Sequence, residues 1–239
     1  MRRRAATVVS IVVAAIAVAA MVARWRPRAD PACSELIADA SRDIGATDLA
    51  DRFASARCEE PTFDGWAADV LARASRVEEA RSHADAAVAR NPRDAHALFA
   101  LALLATGTPD AVRTAERADG AGYGDDATLL VGIADLQNGD TARAAESFRR
   151  VLARDPSHVG ATYDLALVAD REGNYHDARE GYLATLRLDP RYADARYNLA
   201  LLTYRAGALA EARHHADELA AIVPDDPRLP ALRATLGSE

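Results

Sequence analysis

The sequence predicts an all-α solenoid of stacked antiparallel helix pairs, preceded by an N-terminal transmembrane helix. Two periodicities and a composition point there. Gly139, Gly173 and Gly207 stand 34 residues apart, and Pro156, Pro190 and Pro224 repeat the same step. A fixed period of this size marks copies of one supersecondary unit, each burying its apolar face on the next. Half of the 239 residues are hydrophobic but only 5% are aromatic, and the Ala and Leu that carry much of this count favour helix.

The chain starts with a charge asymmetry. Residues 1–30 hold six arginines and one acid, so of 29 basic and 36 acidic residues, 23 and 35 remain beyond them, a balance of −12. An acidic body argues against nucleic acid as a partner, since binding it needs positive charge to displace counterions. Arg2, Arg3 and Arg4 precede an uncharged run, residues 5–23, dominated by Val, Ile and Ala. At about 1.5 Å per residue it spans about 28 Å, near the thickness of a bilayer core. Trp25 between Arg24 and Arg26 suits the membrane interface. The run is longer than the apolar core of a cleaved signal, so it reads as an uncleaved signal-anchor, with cleavage after the small residues of 17–20 as the alternative. Cleavage would leave a soluble secreted binder.

Cys33 and Cys58 are the only cysteines. They lack C-x-x-C spacing and clustered histidines, so no metal site is expected. Either they are two unrelated buried thiols, or they form a disulfide that closes a short helical hairpin in an oxidising compartment. The second reading puts the body outside the cytoplasm: a single-pass protein of the inner membrane with its repeats facing the periplasm or the extracellular side. Within residues 31–60, helices are expected over Ser34–Ile44 and Asp48–Ala56, with Gly45-Ala46-Thr47 as the turn.

Five helix pairs follow, at 61–94, 95–124, 125–158, 159–192 and 193–226. The last three are the most regular. They carry Gly132, Gly139, Ala144, Phe148 and Pro156; then Leu165, Ala166, Gly173, Tyr175, Ala178, Tyr182 and Pro190; then Leu199, Ala200, Gly207, Leu209, Ala212 and Pro224. The first pair has Ala68, Ala80, Ala84 and Pro92 in register, but Ser75 replaces the turn glycine. The second pair is only 30 residues long and its second helix looks clipped, with Thr108 as N-cap and Pro109 in the first turn. Small residues such as Ala166 and Ala178 let two axes approach, while Leu165, Tyr182, Leu186 and Leu199 fill the space between pairs. Leu229, Leu232 and Leu236 give residues 227–239 one apolar face, expected to cap the stack.

Over about 165 residues this pattern resembles the tetratricopeptide repeat (TPR) family. The resemblance implies a protein-interaction module whose first helices line a concave groove. Carried over by register, the groove residues are Leu129, Ile133, Leu136, Tyr163, Asp164, Leu167, Arg171, Tyr197, Asn198, Leu201, Tyr204 and Arg205, with Arg73, Phe99 and Leu103 earlier. Tyr and Arg are enriched at the energetic centres of interfaces. The alternative is that the tyrosines pack on their own pair and the arginines bond Asp164, Asp170 or Asp194. Some relatives clamp a peptide's terminal carboxylate with lysine and asparagine. Here lysine is absent altogether and only Asn198, Arg171 and Arg205 match, so that clamp is not expected.

No catalytic set emerges. His83, His96, His158, His176, His214 and His215 lack metal-binding spacing and read as solvated surface residues. There is no P-loop or Gly-rich phosphate cradle, and no cofactor is expected. The functional expectation is a membrane-tethered, non-catalytic scaffold for a protein or peptide partner, one that assists assembly or maturation of an extracytoplasmic protein. The alternative is a positioning subunit of an enzyme complex.

Overall fold

The computed structural model describes residues 31–45 and 48–237. The expected membrane span at 5–23 lies outside them, as does part of the hairpin turn. Among the described residues there are thirteen helices and no strand, and no helix is long and apolar enough to cross a membrane.

The first two helices, α1 (Pro31–Arg42) and α2 (Leu49–Ser55), form the expected hairpin. Cys33 and Cys58 are bonded, with Cα atoms 5.9 Å apart. The bridge joins the first turn of α1 to the strap after α2. Phe53 of the hairpin stacks on Phe63 at 5.3 Å between ring centroids, which docks it onto the first helix pair.

The pairs are α3 (Phe63–Arg73) with α4 (Val77–Arg90), α5 (Ala95–Leu104) with α6 (Ala111–Gly120), α7 (Asp125–Gln137) with α8 (Thr141–Arg154), α9 (Val159–Arg171) with α10 (Tyr175–Leu188), and α11 (Ala193–Arg205) with α12 (Leu209–Ile222). Their ends follow from local chemistry. Gly139, Gly173 and Gly207 have φ of +85°, +77° and +78°. After each, the next N–H returns to a carbonyl five residues back, as in Asn174 to Ala169 at 2.9 Å, a Schellman stop that favours glycine. Ser75 takes the same left-handed place at φ +60°, with Arg76 N–H bonded to Leu71 at 2.9 Å. The turn therefore survives without its glycine. Asn91, Asp155, Asp189 and Val223, each just before a proline, are extended in φ and ψ, because proline disfavours the helical basin for its predecessor.

The clipped α6 has ten residues where α4, α8, α10 and α12 have fourteen. Its start differs from expectation. The helix begins at Ala111, and Thr108 Oγ1 donates backward to the carbonyl of Ala105 at 2.7 Å. Thr108-Pro109-Asp110 thus forms a turn ahead of the helix, not its cap.

The core runs along the stack. Ala166, Ala178, Tyr182 and Leu186 of one pair cluster with Ala195, Leu199 and Leu202 of the next. Gly181 marks the tightest approach within α9–α10, where a Cβ would come 2.6 Å from that of Ala166. The last helix, α13 (Leu229–Leu236), buries Leu229, Leu232 and Leu236 against α12 and α11.

Candidate partner-binding groove

The first helices α3, α5, α7, α9 and α11 stand side by side and present one face. Leu129, Ile133, Leu167, Tyr197 and Leu201 are half-buried there, and Tyr204 is 40% exposed. Leu136 is instead buried, with Ala144, Phe148 and Val168, because its position turns toward α8 and the next pair.

The polar groove residues mostly bond between neighbouring first helices. Asn198 Nδ2 donates to Tyr163 Oη at 2.9 Å. Arg205 forks onto both oxygens of Asp170 at 3.0 and 3.1 Å, and Arg171 donates to the Leu136 carbonyl at 2.6 Å. Tyr163 lies 5.0 Å from Tyr192 and 5.7 Å from Tyr182 between ring centroids. Tyr197 carries the guanidinium of Arg228 at 4.6 Å above its ring, and that arginine also holds Asp194 at 2.7 Å. These side chains fix the rotation from one pair to the next. Asp164 differs: among the described residues it has neither a hydrogen bond nor an ion pair, and burial pushes its carboxyl up to about 7.

The N-terminal end of the groove is a second region. A cleft of about 310 Å³ lies between Ala40, Ser41, Arg42 and Ile44 of the hairpin side and Trp66, Arg73, His96 and Tyr123 of the pairs. Trp66 and His96 stack at 3.6 Å, and Tyr123 stacks on Phe99 at 4.1 Å. Asp69 is wholly buried beneath them. It accepts from Arg73 Nε at 2.9 Å and from the Tyr123 hydroxyl, and it sits 2.8 Å from His96 Nδ1. Arg73 also reaches Asp126 at 2.7 Å. Burial and then the Asp69 charge hold the Tyr123 phenol far above its ordinary value, so it remains a donor. Trp66, His96 and Asp126 occupy groove positions of the repeat and were within reach of sequence reasoning. Tyr123 sits in the shortened second pair, outside any register.

The histidines are not a uniformly solvated set. His83 pairs with Asp64 at 2.5 Å and His96 with Asp69. His158 Nδ1 accepts the Ala161 N–H at 3.1 Å, capping α9. His215 is buried, 6% exposed, because α12 turns it inward beside α11. Among the described residues no group of three or more His, Cys, Asp or Glu could hold a metal.

No curated protein matches the sequence. Solved structures do. YrrB, a TPR protein with an unusual peptide-binding site, is 17% identical, with 80% of this chain and 98% of that one covered at a TM-score of 0.55. TTC0263, a thermophilic TPR protein of Thermus thermophilus, is 18% identical over 74% and 98% at 0.61. PilF of Pseudomonas aeruginosa is 18% identical over 78% and 84% at 0.64. At such identities the likeness shows fold alone. The tetratricopeptide repeat pattern, however, matches residues 67–123, 129–180 and 163–227. With helix pairs, glycine turns and pre-proline stops recurring through those residues, the chain belongs to the tetratricopeptide repeat family.

Proposed function

We propose that this chain is a non-catalytic scaffold that holds an extended segment of a protein partner along its first helices. In this reading residues 5–23 tether it to the cytoplasmic membrane, and the repeat body faces the periplasm or the extracellular side. There it assists assembly or maturation of another extracytoplasmic protein. TPR proteins in general mediate protein–protein interaction. The observation that carries the reading is the row of partly exposed Leu129, Ile133, Leu167, Tyr197, Leu201 and Tyr204 on successive first helices. YrrB, with its unusual peptide-binding site, supports it by analogy of fold. The Cys33–Cys58 bond supports the oxidising compartment.

The test places a photo-crosslinking residue at Tyr204 in the groove or at Arg149 on the outer helix α8, in intact cells. One partner band is expected from Tyr204 and none from Arg149. The double variant Leu201→Ser with Tyr204→Ser abolishes capture from a probe at Tyr197 while the circular-dichroism spectrum stays that of the parent; Leu201 packs partly on the terminal core, so a lower melting temperature is expected. These two side chains are chosen because Tyr163, Arg171 and Arg205 make inter-pair bonds, so replacing those would loosen the stack as well. Equal capture from both faces would overturn the groove assignment.

A further inference from the structure

The cleft at the N-terminal end of the groove carries a bonded chain of side chains with two open ends. Trp66, Arg73, His96 and Asp126 face Ala40 and Ile44 there across about 310 Å³. Asp69, wholly buried behind that wall, ties it together. One of its oxygens accepts from Arg73 Nε at 2.9 Å; the other lies 2.8 Å from His96 Nδ1 and accepts from the Tyr123 hydroxyl. Arg73 in turn donates to Asp126 Oδ2 at 2.7 Å. His96 and Asp126 thus stand at the two ends of the chain, and each has an atom to spare. Asp69 is the ion-pair partner of Arg73 and only accepts, so His96 Nδ1 carries the ring hydrogen and Nε2 keeps a lone pair. Among the described residues, neither His96 Nε2 nor Asp126 Oδ1 has a hydrogen-bond partner.

The charges fall short in the same place. Asp69 and Asp126 share the single guanidinium of Arg73. The other charged groups of the lining have counter-ions of their own: Arg42 pairs with Asp39, and Asp125 with Arg154 at 2.7 Å. One negative charge is left over, beside an imidazole nitrogen with no donor to accept from. Trp66 lies against His96 with 3.6 Å between ring centroids, and with Ile44 across the cleft it offers apolar surface to an aliphatic stem. The missing half is therefore a hydrogen-bonding cation carried on such a stem. An ammonium suits it better than a guanidinium. The two open acceptors belong to different residues on different helices, α5 and α7, whereas the planar fork of arginine matches two acceptors of one carboxylate. The chain has no lysine of its own, so the occupant comes from outside it.

We propose that this cleft is a subsite for one lysine side chain of the protein partner, its ammonium shared between His96 Nε2 and Asp126. This deepens the groove reading and rests on it. Asp126 supplies the charge, and His96, aimed by the buried Asp69, supplies a directed acceptor. Twelve extended residues span about 40 Å. That is enough to run from this cleft to Leu201 and Tyr204 on α11, three first helices beyond α5 at about 10 Å each.

The test selects displayed random 12-residue peptides on the full-length chain in detergent micelles. The enriched peptides are then measured by calorimetry against the parent, Asp126→Asn, His96→Asn and the Leu201→Ser/Tyr204→Ser variant. Asparagine at position 96 keeps an N–H for Asp69 and removes the outer nitrogen. The expected result is peptides that share a lysine and lose binding in the Leu201/Tyr204 variant. Replacing that lysine by glutamine weakens binding about tenfold or more to the parent and less than about threefold to either asparagine variant. A second readout needs no variant to fold. Because the chain lacks lysine, a carbodiimide joins an acetylated, amidated peptide through its one lysine to the carboxylate it touches, and mass spectrometry should find the link at Asp126. A full glutamine penalty in both asparagine variants, an arginine peptide that binds as tightly as the lysine one, or a link away from residues 125–126 would overturn the subsite. Peptides that lose binding in the Leu201/Tyr204 variant but need no lysine would overturn the subsite and leave the groove standing. Failure to enrich any peptide would overturn both.

Discussion

Ser75 shows how little a single residue decides when its neighbours hold the backbone. The left-handed position costs a side-chain-bearing residue about 1–2 kcal/mol, yet the same return bond forms there as at the glycine turns. Ser75→Gly is accordingly expected to gain about 0.5–1 kcal/mol, the relief of strain exceeding the extra freedom gained by the unfolded chain. Urea unfolding with an unchanged slope reads this directly. His215 tells the opposite story, of a group whose place is set by packing. Burial lowers its pKa, although Glu218 and Glu211, at 3.6 and 3.8 Å, pull the other way and Arg196 and His214 add to the lowering. A histidine with a lowered folded pKa contributes stability that is present above its unfolded value near 6.5 and is lost as pH falls through the folded value. The parent's melting temperature should thus fall between pH 7 and 5 by more than that of His215→Gln. Parallel curves would show that this imidazole is not proton-linked to folding.

At the scale of helices, the tight contact is between α9 and α10. Ala178 is fully buried, and Gly181 sits against Ala166. Ala178→Leu should overpack this seam and cost roughly 1–3 kcal/mol; a thermal melt equal to the parent's would contradict the register. The helix pairs were legible in the sequence because their ends depend on local chemistry: a glycine turn, an extended residue before proline, an apolar face every third or fourth place. The same locality explains the miss at Thr108, where Asp110 competes for the start of α6 and no side-chain cap forms at all. The groove was legible as positions, not as chemistry. Whether Arg205 is available to a partner depends on Asp170, on the neighbouring first helix. The cluster of Trp66, His96, Tyr123 and Asp69 draws on two pairs, and its closing member sits where the repeat loses its length. Side-chain pairing across a stack is a tertiary fact that no period announces.

For the molecule as a whole, each pair contributes apolar surface that only its neighbour covers, so stability is a sum of pair and interface contributions. The final interface is covered by α13. Ending the chain after residue 226 would expose the partners of Leu229, Leu232 and Leu236 on α11 and α12. Faster hydrogen exchange is expected there first, fading toward α7, together with concentration-dependent association; uniform protection would argue for a single cooperative unit. At the opposite end the sulfur bridge has a mechanical meaning. A pull arriving from the N-terminal side of Cys33 crosses the 25-residue loop through one covalent link and enters at α3. The slack enclosed by that link bears no load, so α1 keeps walling the cleft beside Trp66 and His96 while tension runs past it.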